Sequence, residues 1–304
     1  MDYDNVQVYP ARKHITLNDK ATKFLFNQTE ENYSKLMNGN ARGIVEKKHH
    51  KKKGEVVSGY RLQNNEGYTN IAPLAEYERD VLDCFLSEYE SGNHIVSLAQ
   101  IQRALNGNVG EHREHNNGVI NIKQLARLKQ AVDKLMCTQY DPDVVSAFET
   151  LNYKGADEIR KAPILPCKRI RTAINGKISK EDLVEMYDES PLLKLAKIKG
   201  QILTCDSDLY YIPNLNNTTL VTELKHYTFR RVFEIKKHRR NMSPILTLDD
   251  IFTKCRIKDA SKSTKQDARE TLEKIFAHLQ SKGEIKSFEW TKKGNSFYSI
   301  KITY

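Results

Sequence analysis

The last 87 residues, 218–304, carry the periodicity that most constrains how the chain can fold. Apolar residues recur there at spacings of three and four in three separate stretches, which places them on one face of a helix. The first stretch begins at Thr218 or Thr219, and Thr247 caps the second. The third follows a polar turn, 258–264. The sequence therefore predicts a long helix, a short helix and a second long helix.

A helix stop and a hairpin follow the third stretch. Gly283 is the residue expected just beyond a helix end, because glycine readily adopts the left-handed conformation that terminates helices. Two strand-like runs, 285–290 and 297–303, flank a polar turn with two lysines at 291–296 and predict a β-hairpin. The order helix, short helix, turn, helix, hairpin is that of a winged helix-turn-helix.

The excess positive charge lies mostly in the same module. Residues 218–304 hold 19 basic and 10 acidic side chains, a net charge of +9, whereas the whole chain carries +10. Residues 1–73 carry a net +4, and residues 74–217 a net −3. A concentrated positive field favours a polyanionic partner, and double-stranded DNA suits this module best. A basic surface that serves solubility alone is the alternative that composition leaves open.

Residue types at the expected contact positions also favour DNA. In a winged helix-turn-helix, the first residues of the third helix meet base edges in the major groove. Gln and Arg suit bidentate contacts with adenine and guanine, whereas Ser, Thr and Lys suit phosphates. A protein-interaction module is the alternative, which a neutral or acidic third helix would favour. The predicted DNA-contacting residues are Lys262, Ser263, Thr264, Lys265, Gln266 and Arg269 of the third helix, Lys292, Lys293 and Asn295 of the hairpin, Arg239 and Arg240 at the end of the first helix, and Lys51, Lys52 and Lys53 of an N-terminal basic block.

The remainder of the chain divides into three segments. Residues 1–73 predict a basic arm, partly disordered, because the lysine-rich block 46–54 repels itself. Residues 74–176 predict a first winged-helix-like domain with a long wing, interrupted by a helix at 143–151. Residues 177–217 predict an interdomain segment. The predicted fold class is mainly α with small β-hairpins (α+β), as tandem winged-helix domains with an N-terminal basic arm.

The sequence offers no motif for catalysis or for cofactor binding. It contains neither a phosphate-binding P-loop nor a dinucleotide fingerprint, and its five cysteines are scattered as expected for reduced thiols. His112 and His115 stand three apart in a polar loop, where solvation is favoured over a zinc site. We therefore expect no enzymatic activity, no metal and no cofactor. Short apolar stretches and the absence of a signal peptide predict a cytoplasmic protein without membrane contact.

Two winged-helix-like units in one chain, the second more basic, resemble the iteron-binding replication initiators of plasmids. The matching regions are 74–136 and 218–304, especially the segment Tyr227-Thr-Phe-Arg-Arg-Val232 and the final helix and hairpin. The resemblance implies that both units contact repeated DNA sites and that the first also supports a dimer. It implies initiation of replication of a plasmid, phage or mobile element, with replication or transcription proteins as further partners. A transcriptional regulator or partition adaptor with the same module, and a nuclease or recombinase subunit, are the alternatives.

Overall fold

The computed structural model describes residues 11–18, 22, 26, 44–51, 54–62, 74–108, 122–142, 163–174, 177–294 and 296–304. Within these residues, helices alternate with short strands that form small, largely antiparallel sheets, so the predicted α+β class is confirmed. The helices are α1 (Glu76–Glu90), α2 (Leu98–Asn106), α3 (Ile122–Cys137), α4 (Pro191–Ile198), α5 (Thr219–Lys237), α6 (Leu248–Lys254) and α7 (Lys262–Ser281). The strands are β1 (Lys13–Leu17), β2 (Ile44–Lys51), β3 (Gly54–Leu62), β4 (Ile95–Ser97), β5 (Thr138–Pro142), β6 (Cys167–Ile174), β7 (Lys177–Met186), β8 (Ile202–Asp206), β9 (Ile245–Thr247), β10 (Ser287–Lys293) and β11 (Ser296–Thr303).

The described residues cluster into two compact units. The first unit takes the described residues from 17 to 101 and from 122 to 202. The second takes 11–16, 102–108 and 203–304, so it includes the C-terminal part of α2 as well as the module predicted at the chain's end.

The first unit is built around α1 and α3. Val81, Leu82 and Phe85 of α1 are buried, as are Leu128 and Val132 of α3, at the spacing of three and four that predicted both helices. One three-stranded sheet of this unit has the strand order β4-β7-β6, with all neighbours antiparallel.

The second unit has one apolar core formed by α5, α6, α7 and the β10-β11-β9 sheet. The predicted caps are present, because the Thr218 hydroxyl accepts a hydrogen bond from the Val221 amide at 3.3 Å and the Thr247 hydroxyl accepts one from the Asp250 amide at 3.2 Å. The helices that the sequence predicts for this module are therefore confirmed. Fully buried members of the core include Leu224, Phe229, Val232, Ile251, Ala268, Leu272, Ile275, Phe276, Leu279 and Ile300.

The same order of elements occurs twice along the chain. The series α1, β4, α2, α3, β6, β7 matches α5, β9, α6, α7, β10, β11 in order, except that the first series has an additional strand, β5, between α3 and β6. In each series the three-residue strand pairs with the last strand, which gives the sheets β4-β7-β6 and β9-β11-β10. The central position of each sheet is also equivalent, since Val184 pairs with Val96 and Arg169, while Ile300 pairs with Leu246 and Trp290.

A short sequence repeat explains the equivalence of the first strand and second helix in each series. The segments Ile95-Val-Ser-Leu98 and Ile245-Leu-Thr-Leu248 occupy the same place, each followed by an isoleucine three residues later. In both, the hydroxyl residue that ends the strand caps the helix, because Ser97 Oγ accepts the Gln100 amide at 3.1 Å much as Thr247 accepts Asp250.

Two predicted segments differ from expectation. The lysine-rich block was expected to be disordered, but Ile44–Lys51 is a strand paired with Gly54–Leu62, which in turn pairs with β5. Val56, Val57 and Tyr60 in the partner strand favour β structure, and ladder pairing outweighs the repulsion of the cations. Residues 177–186, which were expected to belong to an interdomain segment, form the central strand β7 of the β4-β7-β6 sheet. The helix expected at 143–151 lies outside the described residues.

Candidate nucleic-acid interface

Helix α7 presents its first two turns to solvent. The Ser261 hydroxyl accepts a hydrogen bond from the Thr264 amide at 3.1 Å and so caps the helix, while Gly283, with φ of +74°, follows its end. The buried side of α7 faces the core, beginning with Ala268. The opposite side near the N-terminus is therefore the surface that a partner can reach.

The predicted contact residues of α7 lie on this accessible surface. Lys262, Ser263 and Gln266 are exposed, and Lys265 and Arg269 are partly exposed. Among the described residues, neither Lys262 nor Lys265 pairs with a carboxylate, so both ammonium groups are available to an anion.

Two other predicted contacts have partners within the helix. The Thr264 and Ser261 hydroxyls are 2.9 Å apart in the capping turn, and the Gln266 amide donates to Glu270 Oε1 at 3.2 Å. Both groups are held in place before any ligand arrives, and a base contact by Gln266 requires it to exchange its bond to Glu270.

The hairpin forms the second part of the predicted surface. Its register shifts between Thr291 and Lys292, where a β-bulge leaves Tyr298 without a paired residue on the opposite strand. Lys292 and Lys293 are exposed at the end of β10, and Gly294 turns the chain with φ of +62°. Asn295 lies outside the described residues.

Phe297 joins the helix to the hairpin. The Arg269 guanidinium carbon lies 4.4 Å from the centre of the Phe297 ring, and the Lys292 ammonium lies 4.9 Å from the same centre. Trp290 packs edge-on against Phe297 at 5.5 Å, and its indole N–H donates to Glu273 of α7. The structure thus joins two of the predicted contact residues, Arg269 of α7 and Lys292 of the hairpin, in one cluster around Phe297. Residue-type rules missed Phe297, because an apolar ring 28 positions beyond Arg269 shows no spacing that ties it to that residue.

The predicted cations outside α7 and the hairpin do not join this cluster. At the end of α5, Arg239 lies 4.8 Å over the Tyr304 ring, and Arg240 is exposed. In the part of the chain that the structure describes, neither forms a hydrogen bond or ion pair with α7 or the hairpin. Lys51 pairs with Gly54 at the end of β2, whereas residues 52 and 53 lie outside the described residues.

A group of polar side chains is buried within the second unit. Lys225 is fully buried, and its ammonium donates to the Asn106 carbonyl at 2.9 Å and to Asn217 Oδ1 at 3.3 Å. The neighbouring His226 ring lies 2.8 Å from the Leu105 carbonyl. These side chains bind the carbonyls at the C-terminus of α2, where a cation is favoured by the helix dipole.

The two buried histidines of this group, His14 and His226, are neutral in the folded protein. Burial lowers the pKa of His14 to about 3, and the charges of Arg230 and Lys225 add to the effect. Burial likewise lowers the pKa of His226. The Tyr210 ring lies 4.4 Å from each imidazole. Fully buried rings offer no surface to a substrate, so we assign this group to the stability of the fold.

The chain matches no protein-family model, no curated protein and no solved structure. Within the described residues, no three side chains of the His, Cys, Asp or Glu type come together as metal ligands. None of the described helices combines the length and apolarity that crossing a membrane requires. A partner is therefore inferred from the surface chemistry of α7 and the hairpin.

Proposed function

We propose that the chain is a site-specific double-stranded DNA-binding protein and that its second unit makes the principal contact. The observation that carries the proposal is the cluster around Phe297, which unites Arg269 of α7 with Lys292 of the hairpin on an exposed, basic surface. Two cations that a ring holds in place lose less conformational freedom on binding than free side chains.

The order of elements supports a winged-helix assignment for both halves. A helix, a short strand, two helices and a hairpin whose last strand pairs with the short strand occur in each series. In this arrangement α7 corresponds to the helix that enters the major groove. Its first turns hold Lys262 and Lys265, which suit phosphates, and Arg269, which suits guanine.

Stacking on Phe297 is compatible with base recognition by Arg269. A guanidinium is planar, and its five N–H donors point outward in that plane. When one face lies against an aromatic ring, the edge donors are still free to form the bidentate pair with guanine O6 and N7.

The duplicated arrangement also supports a role in replication initiation. Two DNA-binding folds in one chain suit repeated sites, and the resemblance to iteron-binding initiators is one of two such units. We propose that the protein initiates replication of a plasmid, phage or mobile element, with self-association and recruited replication proteins as further interactions. Protection of repeated sites supports this role, whereas a single protected palindrome in a promoter supports a transcriptional regulator.

The proposal is tested by capture of genome fragments on the purified full chain, followed by footprinting of the captured fragments at physiological salt. We expect discrete protected sites. Protection without sequence preference would overturn site specificity.

Three variants then locate the contact surface on the captured site. Arg269→Ala should lower specific affinity by about 1–3 kcal/mol, because a bidentate base contact is lost. Lys293→Ala should weaken binding to all sequences alike and lower the salt dependence. Lys282→Ala is the matched control, since this exposed lysine follows the opposite end of α7 and loses the same charge. Equal effects of all three would contradict the assignment of the surface.

A further inference from the structure

Five helices of the described chain end in the same backbone motif. In each, a residue in the left-handed conformation donates its amide to the carbonyl three residues before it, and the next amide bonds five residues back. After α1, α2, α4 and α7 the left-handed residue is a glycine, whereas after α6 it is Arg256, with φ of +56°. The four glycines are Gly92, Gly107, Gly200 and Gly283.

The motif after α6 is complete despite its arginine. The Arg256 amide donates to the Thr253 carbonyl at 3.3 Å, and the Ile257 amide donates to the Phe252 carbonyl at 2.8 Å. A side chain at this position crowds the backbone, and glycine forms the same motif without that penalty. The corresponding helix of the first series, α2, does end in a glycine, Gly107. The fold therefore does not require arginine at this position.

Arg256 lies in the connection between α6 and α7, six residues before α7 begins at Lys262. It is exposed, and among the described residues its guanidinium contacts no carboxylate. The connection is compact, because the Ala260 amide donates to the Ile257 carbonyl at 3.1 Å. Lys258 in the same turn is paired with Asp249 at 3.4 Å, so Arg256 is the more available cation of the two.

We infer that Arg256 binds a phosphate of the DNA backbone at the edge of the groove that α7 enters. The turn that precedes a helix lying in the major groove runs beside the phosphates that line it. A guanidinium can bind two oxygens of one phosphate through parallel hydrogen bonds. This inference rests on the proposed function. It explains why the strained, left-handed position after α6 holds an arginine, whose guanidinium suits a phosphate, where the other helices have glycine.

The test compares Arg256→Gly, Arg256→Ala and Arg256→Lys in the full chain, with the captured duplex site as the probe. Binding is measured over a series of salt concentrations, and thermal unfolding is measured without DNA. Arg256→Gly and Arg256→Ala should each lower the slope of log affinity against log salt by about 1, as expected for one lost phosphate contact. Arg256→Lys should keep the slope, because it keeps the charge.

Unfolding provides the independent readout. Arg256→Gly should unfold at a higher temperature than the parent chain while it binds DNA more weakly, because the backbone strain is relieved. Arg256→Ala keeps the strain and should not gain stability. A lower unfolding midpoint in Arg256→Gly would overturn the inference, because the fold itself would then require the arginine.

Failure of the inference and failure of the proposed function give different results. If the parent chain binds the site with a steep salt dependence and Arg256→Gly has the same slope, the phosphate contact is overturned and DNA binding stands. If the parent chain binds no duplex at all, both are overturned.

Discussion

The end of α2 offers a sharp prediction about the second unit, because Gly107 has no room for a side chain. Its φ is +81°, and a Cβ built there would lie 2.1 Å from the Tyr210 carbonyl carbon and 2.3 Å from the Tyr211 amide nitrogen. Both are backbone atoms, so a rotamer change cannot relieve the overlap. Gly107→Ala therefore requires the turn after α2, or the short 3-10 helix Ser207–Tyr210, to move by more than an ångström.

The magnitude follows from what that movement disrupts. A left-handed alanine costs about 1 kcal/mol, and overpacking against a fixed neighbour about 1–3 kcal/mol. The shift also withdraws the Asn106 carbonyl from the buried Lys225 ammonium, now 2.9 Å away, at about 1.5–3 kcal/mol for a hydrogen bond to a charged group. We expect the free energy of unfolding of the second unit to fall by about 3.5–7 kcal/mol.

Gly283→Ala is the matched control. Gly283 has a similar φ of +74°, but nothing lies within 4 Å of its added Cβ. Gly283→Ala should lower the free energy of unfolding only by the cost of the left-handed conformation, about 1 kcal/mol. Urea unfolding of both variants and the parent chain, followed by circular dichroism, measures the difference. Free energies of unfolding that agree to within about 0.5 kcal/mol would refute the packing of the α2 terminus on Tyr210.

Three further predictions concern the same unit. Because burial lowers the pKa of His14 to about 3, the unfolded chain binds more protons than the folded chain below about pH 6.5, and His14 should lower the free energy of unfolding by about 1.4 kcal/mol per pH unit as pH falls from there toward 3. His226, whose pKa burial also lowers, adds to the loss in the same direction. A flat profile from urea unfolding across this window would contradict the burial of the two rings. Phe297→Leu should weaken DNA binding several-fold, because Arg269 is no longer held against an aromatic ring, whereas Phe297→Tyr keeps the ring and should not. Gel-shift titrations that find the same affinity for the two variants would argue against a role of the cluster in binding. Tyr304→Phe removes the hydrogen bond of 2.8 Å from the Tyr304 hydroxyl to the Val232 carbonyl and should lower the free energy of chemical unfolding by about 1 kcal/mol. An unchanged unfolding midpoint would show that water replaces this bond.

Sequence periodicity and caps predicted the second unit well because they act locally. Thr218, Thr247 and Gly283 each mark a helix end through contacts within four residues, and the structure places the ends of α5, α6 and α7 there. Strands of three residues carry no such signal, so β4 and β9 were not predicted. Their place depends on pairing with β7 and β11, which are distant in sequence.

A signal for the duplication was nonetheless present. Ile95-Val-Ser-Leu98 and Ile245-Leu-Thr-Leu248 each begin with a β-branched residue, continue to a hydroxyl residue that caps the helix, and end in the apolar residue that starts it. The two segments mark the same position in both series. The lysine-rich block was misjudged because charge repulsion was weighed without the strand partner that pairs with it.

Part of the proposed DNA surface follows from the sequence. Residue type and position selected Lys262, Lys265 and Lys292, because a cation needs only a helix start or a turn to reach solvent, and the structure shows all three at least partly exposed. Phe297 and Arg256, which the proposals add to this surface, were missed for different reasons. The first acts through a contact between distant segments, and the second is recognised only by its left-handed backbone.

The most direct test of the account is methylation interference on the captured duplex. Methylation of guanine N7 blocks the major-groove acceptor that an arginine from an inserted helix would use. We predict that methylation of particular guanines in the site abolishes binding by the parent chain and that Arg269→Ala loses sensitivity at one of them. Binding that is indifferent to N7 methylation throughout the site would contradict the entry of α7 into the major groove.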